Sequence, residues 1–369
     1  MVREQKTYLP VEAQDMTEEQ AQEKQSVRRK TVSKEWEHFV PEFVNTKAQS
    51  FDVKAAVKQV ETGQKLFTDA RLSQAEARIK IPTDLPVSVS LIGDVHFGSI
   101  YTEHQEFLDD VETVRRTPNA YAVFMSNMID NAIPSQFPSN MLANPIPPDK
   151  QVLAMRKIAE ELNKDGKLLG AITSPCHEGW TYKHTGQDVN ALIYGFPDRK
   201  FPVLENGGQL HLEVGEQEYT MALYHQVGPF ESNFNETHAL RQLNRLNLQM
   251  KADVVAGAHR HFAAAEMVYE GTGEERKPTA YVRTGTYKGT GEIHDQFSVD
   301  RYGATGEPSA QTVELWPKVR RIEVYLEHET GILAHEAHYV MESVKNDKEE
   351  AKRKRAEARQ AKKQEVIQR

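Results

Sequence analysis

From Pro86 onward, short apolar runs punctuate the chain: "PVSVSLIG", "AYAVFMS", "KLLGAIT", "YTMALYH", "ADVVAGA", "TAYVRTG" and "VRRIEVYLE". Each is too short for a helix and rich in Val, Ile, Leu, Ala and Tyr, so each is expected to be a strand, most of them buried on both faces. Between several of them the period changes. In "EHQEFLDDVETVRR" and "KQVLAMRKIAEELNKDG" apolar residues recur three and four apart, the spacing of an amphipathic helix. Strands alternating with helices predict an α/β domain with largely parallel pairing, at least in its first half. No repeat of 20–50 residues interrupts it. The stretch "SVDRYGATGEPSAQ" is expected to be a surface loop or to lie near a site.

The flanks have a different texture. Residues 1–80 are polar, with a helix expected at "DMTEEQAQEKQSVRRK", capped by Asp15 or Thr17, and a second at "DVKAAVKQVETGQKLF". Thin apolar faces make this region an arm or linker, or else a small binding module. The tail "KNDKEEAKRKRAEARQAKKQEVIQR" has many i,i+4 charge pairs and no apolar seam. It is expected to be a solvated helix or a disordered extension, with contact to nucleic acid or an acidic partner as the alternative. The organisation read from sequence is therefore an arm over 1–80, a domain over 81–340 and a charged tail over 341–369.

Charge sharpens this division. Of the net −8, residues 1–80 contribute +1, residues 341–369 contribute +4, and the middle carries −13. An acidic centre does not favour a broad nucleic-acid surface, although a local basic groove stays open. One cysteine excludes an intramolecular disulfide framework. No apolar leader and no membrane-length apolar run are visible, so a cytoplasmic protein with no membrane partner is expected.

The chemistry lies at the ends of the apolar runs, where α/β folds place ligands. After "SVSLIG" comes Asp94-Val95-His96, and after "AYAVFM" come Ser126-Asn127-Met128-Ile129-Asp130. After "KLLGAIT" comes Cys176-His177-Glu178, after "YTMALY" His225, and after "ADVVAGA" His259-Arg260-His261. All five ends offer side chains able to bind a divalent metal. Residues i and i+2 of a strand share a side, so Asp94/His96 and His259/His261 read as two chelating pairs.

This ordered set resembles the calcineurin-like metallophosphoesterases, whose signature runs D-x-H, G-D-x-x-D, G-N-H-[DE], H and G-H-x-H. The resemblance covers about residues 85–290. "GDVHFG" matches fully, and "GAHRH" keeps both histidines with alanine before them. The resemblance implies a two-sheet α/β/β/α sandwich and hydrolysis of phosphomonoesters or phosphodiesters, nucleotides and nucleic-acid ends included, by a metal-activated hydroxide. It implies one or two divalent ions, Zn, Mn or Fe. Asp94, His96 and His261 would bind one, His225 and His259 the other, with Asn127 and Cys176 at the two remaining ligand positions. His177 would stand beside the phosphate, stabilising the transition state or protonating the leaving oxygen, and Asp130 would orient its neighbours.

Two positions depart from the family pattern. Asn127 replaces the aspartate that bridges both metals, and a neutral amide compensates two dications less well. Cys176 replaces an asparagine ligand; as a thiolate it would restore that charge and favour a softer ion such as Zn²⁺. A buried inert thiol and a cysteine nucleophile are the other readings, the latter opposed because His177, adjacent in sequence, tends to face away. The run "RTGTYKGTG" lacks the nucleotide P-loop pattern. A metal-dependent phosphoesterase thus stands beside a pseudoenzyme of the same fold acting as scaffold, and beside a binding module working through its arms.

Overall fold

A computed structural model describes residues 53–55, 57–61, 73–133, 143–228, 235–246, 251–273, 276–289 and 310–367. The chain divides into two compact units, Met1–Asp69 and Ala70–Arg369. In the first unit residues 53–55 and 57–61 are helical, within the second of the two expected N-terminal helices. The helix expected near Asp15 lies outside the described residues, as does most of the loop from Ser298.

The second unit is a mixed α/β fold. Its strands are β1 (Ser73–Ile81), β2 (Val87–Ile92), β3 (Ala120–Phe124), β4 (Leu168–Thr173), β5 (Val203–Val214) and β6 (Gln217–Tyr224). They continue with β7 (Val254–Gly257), β8 (Ala264–Glu270), β9 (Lys277–Arg283), β10 (Gln311–Leu315) and β11 (Ile322–Tyr325). The helices are α1 (His104–Arg116), α2 (Pro148–Lys164), α3 (His177–Thr185), α4 (Val189–Tyr194), α5 (His238–Leu246) and α6 (His328–Ile367). All seven apolar runs contain a strand, and both amphipathic stretches are helices. Pro at the start of α2 fits its first turn, where the missing N–H costs nothing.

The strands pair in one sheet, ordered β11-β10-β2-β3-β4-β5-β6-β7-β9-β8 with β1 beside β5. The family resemblance implied two sheets, whereas these strands form one, in which β5 changes partners along its length. Its first residues, Val203–Glu205, pair with β4, and Gly208–Val214 pair with β6. Between them Asn206 and Gly207 have φ of 61° and 116°. A side chain at Gly207 would meet the Leu223 carbonyl at 2.5 Å, so only glycine passes there.

Alternation sorts the strand residues into distinct cores. Val87, Val89 and Leu91 of β2 share one cluster with Met221 and Leu223 of β6 and Val313 of β10. Ala122 and Phe124 of β3 pack in a second with Phe107 of α1 and Met155 of α2. A third joins Val255 and Tyr281 to Leu240 of α5. Each large apolar side chain buried this way stabilises the fold by about 1.5–3 kcal/mol.

The arm boundary moves. Residues 73–80, "SQAEARIK", were expected to belong to the polar arm, yet with Ile81 they form β1 along β5. Ala77, Ile79 and Ile81 alternate with Glu76, Arg78 and Lys80, a period of two that polarity alone disguises. At the other end no break falls near residue 340. Helix α6 runs 40 residues and docks through its first half. His328 pairs with Asp110 at 2.6 Å, His335 and His338 both meet the buried Glu314, and Asn346 bonds Asp84.

Candidate metal centre

Strands β2, β3 and β4 run parallel side by side, as do β6 and β7, so the loops leaving them gather in one place. The ligand residues do not lie on the strands themselves, which corrects the i,i+2 argument. Asp94 and His96 follow β2 with φ of 48° and 50°, and His259 and His261 follow β7 with φ of 78° and 58°. Ser126 and Asn127 are left-handed too, at 70° and 50°. Such a backbone costs a non-glycine residue roughly 1–3 kcal/mol, and persists only where its surroundings over-determine it.

Here they do. Asp94 and His96 donate backbone N–H groups to the Ser126 and Asn127 carbonyls at 3.1 and 2.9 Å. The Asp94 carbonyl accepts from Thr286 Oγ1 at 2.7 Å, and its Oδ2 accepts from the His259 N–H at 2.6 Å. Gly93 lets β2 pass β3, since a Cβ there would lie 2.7 Å from Met125 Cβ.

The loops bring the sequence-predicted residues together. Three triads each have ligand atoms within 4.8 Å of one another: Asp94/His96/His261, Cys176/His225/His259 and His96/Asp130/His177. Asp94 Oδ1 is the hub, 3.8 Å from His96 Nε2, 3.6 Å from His261 Nε2 and 3.9 Å from His225 Nε2. Cys176 Sγ lies 3.9 Å from His259 Nδ1. Asn127 sits at the same hub, its Nδ2 donating to Asp94 Oδ1 at 3.0 Å.

Hydrogen bonds fix the tautomers. His225 Nδ1 faces the Met125 carbonyl at 3.0 Å, and His177 Nδ1 faces the Asp130 carbonyl at 2.6 Å. Carbonyls only accept, so both Nδ1 atoms carry the proton and both Nε2 atoms present a lone pair. His96 Nδ1 is held likewise by Asp130 Oδ1 at 3.1 Å, the carboxylate–histidine support usual behind metal ligands.

Burial keeps these rings neutral. It lowers His225 below the ordinary imidazole range, His96 well below it, and His177 and His259 to about 4. Burial also pushes the Cys176 thiol up to about 11, so without a cation it is a thiol and would become a thiolate only on binding one.

The residues fit a divalent ion. His225 Nε2 and Asn127 Oδ1 are buried with no hydrogen-bond partner, an expense a coordinated cation would remove. His96 Nε2 and His261 Nε2 lie 3.2 Å apart, close enough for both to face one ion. The donor set of imidazoles, one carboxylate and one sulfur suits Zn²⁺ and neighbouring transition metals better than Mg²⁺.

The sequence did not single out several residues around this cluster. Lys288, buried, donates Nζ to Asp130 Oδ1 at 3.0 Å, and Asn144 holds Oδ2 at 2.8 Å. Lys288 lies in the very run, "RTGTYKGTG", dismissed for lacking a phosphate-loop pattern. Glu178 reaches back under the β3 loop, accepting the Met128 N–H at 2.6 Å, and burial raises its carboxyl to about 7. Trp180 of α3 stacks against His177 with ring centroids 4.0 Å apart. Only the carboxylate after His177 had a signal, as the last letter of the third motif.

No protein-family model matches the chain, and no curated protein matches it. Among solved structures it is similar to vacuolar protein sorting 29 from Cryptosporidium parvum, at 16% identity and a TM-score of 0.36, covering 66% of this chain and 97% of that one. The Entamoeba histolytica Vps29 complexed with zinc gives 13% identity and 0.31, covering 65% and 97%. A predicted phosphoesterase from Streptococcus pneumoniae TIGR4 gives 12% and 0.30, covering 65% and 90%. At such scores a functional reading has to stand on the site's own geometry.

Proposed function

We propose that this protein is a metal-dependent phosphoesterase of the calcineurin-like type, acting on phosphomonoesters or phosphodiesters. The observation that carries the reading is the pair of orphaned buried atoms, His225 Nε2 and Asn127 Oδ1, beside Asp94 in a cluster of neutral histidines. The large mixed sheet, whose β2 and β6 residues share one core, is compatible with the two-layer sandwich of that family.

Asp94, His96 and His261 would hold one ion, with His225, His259 and Cys176 around a second. A bound divalent ion supplies Lewis-acid polarisation of phosphoryl oxygens and an acidified water. Asp130, fixed by Lys288 and Asn144, orients His96 through its Oδ1 and His177 through its carbonyl. His177 turns a lone pair outward from Nε2 and stays neutral at pH 7, so it takes a proton more readily than it gives one. That favours proton acceptance or water positioning over protonation of the leaving oxygen.

The test is metal content of the purified protein together with hydrolysis of a generic phosphodiester, with and without Mn²⁺. Bound metal and metal-dependent hydrolysis are expected. Stoichiometric metal without any turnover would favour the second reading, a scaffold of the same fold, which the neutral Asn127 at the hub supports.

A further inference from the structure

We propose that the outer half of α6 is a binding arm for the phosphodiester backbone of a nucleic acid. At 1.5 Å per residue the helix is about 60 Å long, and its docking contacts end near Asn346. Beyond that point residues 351–361 are exposed.

The charges there are sorted by face. Three cations have acidic partners: Lys354 with Glu350 at 2.8 Å, Arg353 with Glu357 at 3.7 Å and Lys345 with Glu342 at 3.3 Å. Lys348, Lys352, Arg355 and Arg359 are exposed, and none of them takes part in any of the helix's ion pairs. Their spacing of four, three and four places them in one stripe on the helix. Asn346, Glu349 and Arg353 line a hollow with Asp84 and Lys318, so the stripe looks away from the sheet.

A solvated helix with alternating charges normally satisfies its cations with acids one turn away. Here four cations in a row, about 4.5–6 Å apart along the axis, are left for something else. One strand of a nucleic acid presents a phosphate about every 3.4 Å of duplex axis, a denser row than the stripe, so each cation can find a phosphate partner. The remaining surface reinforces the choice. Residues 81–339 carry −13, so the body of the protein adds no net attraction for a polyanion and the arm is the cationic segment. The inference deepens the phosphoesterase reading by naming nucleic acid as the substrate class, and rests on that reading only for its purpose.

The test is fluorescence anisotropy of labelled single-stranded and duplex oligonucleotides with the full-length protein in EDTA, across a salt series. Binding without turnover is thereby separated from catalysis, and an inactive enzyme that binds leaves the arm standing. The quadruple variant K348Q/K352Q/R355Q/R359Q keeps good helix formers, with helix content checked by circular dichroism. It should lower the slope of log K against log salt by about 3, at 0.7–0.9 per lost phosphate contact. R353Q/K354Q, on other faces, should leave the slope unchanged. No binding by the wild type at low salt, an unaltered slope in the quadruple variant, or displacement by polyglutamate as effective as by unlabelled DNA would overturn the proposal. The last result would make the arm a dock for an acidic protein.

Discussion

His225 Nε2 lies 3.9 Å from Asp94 Oδ1, buried and without a hydrogen bond, its ring held by the Met125 carbonyl on the opposite side. A lone pair so placed is preorganised for a cation and costly without one. His225→Ala and Asp94→Ala should each lose bound metal, measured by elemental analysis after dialysis against a weak chelator. Asp94 touches histidines of both ligand groups, so its loss should empty the centre, whereas His225→Ala should leave the His96/His261 side occupied. Full occupancy in Asp94→Ala would remove it from the hub.

Cys176 gives a proton-release prediction. Its thiol sits at about 11, so binding as thiolate at pH 8 must expel a proton. Zinc titration by calorimetry in buffers of different ionisation enthalpy should show close to one proton released per ion at this side, and Cys176→Ala should abolish that release. Asn127→Asp should raise metal affinity and hydrolysis by restoring a carboxylate at the hub. Activity unchanged in Cys176→Ala would dismiss the cysteine as a ligand.

Glu178 makes stability depend on pH in an unusual direction. Burial raises its carboxyl from an ordinary 4.5 to about 7, so between these values the folded state holds a proton that the unfolded chain has released. Its contribution is therefore fully present below 4.5 and fades as pH climbs to about 7. The loss is about 3 kcal/mol at 1.36 kcal/mol per pH unit. Urea unfolding of the metal-free protein at pH 5 and pH 8 measures it. Glu178→Gln should flatten the difference; an equal drop in that variant would assign it elsewhere.

Lys288 and Asp130 form a buried ion pair at 3.0 Å. Removing one charge strands the other, so Lys288→Met should cost the metal-free fold about 3–5 kcal/mol. Asp130→Asn on that background should recover part of the loss, the coupling expected of direct partners. A strictly additive double variant would show that the pair does not act as a unit.

Truncation after Glu350 removes exposed helix beyond the last docking contact. The melting temperature should stay within a degree or two of wild type by differential scanning calorimetry, since little apolar area is lost. A large drop would mean that the outer helix packs on something in solution.

Much of the centre was legible before any coordinates. Five of the seven apolar runs ended close to where strands end and were followed by Asp, Asn, Cys or His. Asp94, His96, Cys176, His225, His259 and His261 all fall into triads of metal-ligating geometry. What pattern could not give was the backbone that aims them. The i,i+2 rule placed Asp94 with His96 for the wrong reason, because both are left-handed loop residues. Strand β1 was missed because alternating Glu, Arg and Lys masked a half-buried face, and β5 because its bend carries Asn206 and Gly207.

The sequence by itself determined the strand and helix periods, the order of the ligand-bearing loops and the polarity of the two ends, since each depends on neighbours close in the chain. Only the tertiary structure decided which atom of each histidine faces the site, that Asp94 rather than Asn127 occupies its centre, and that Lys288 stands behind Asp130. Those outcomes depend on groups far apart in the chain, such as His225 and the Met125 carbonyl, separated by 100 residues. No local pattern encodes a hydrogen bond whose donor and acceptor meet only after the sheet has closed.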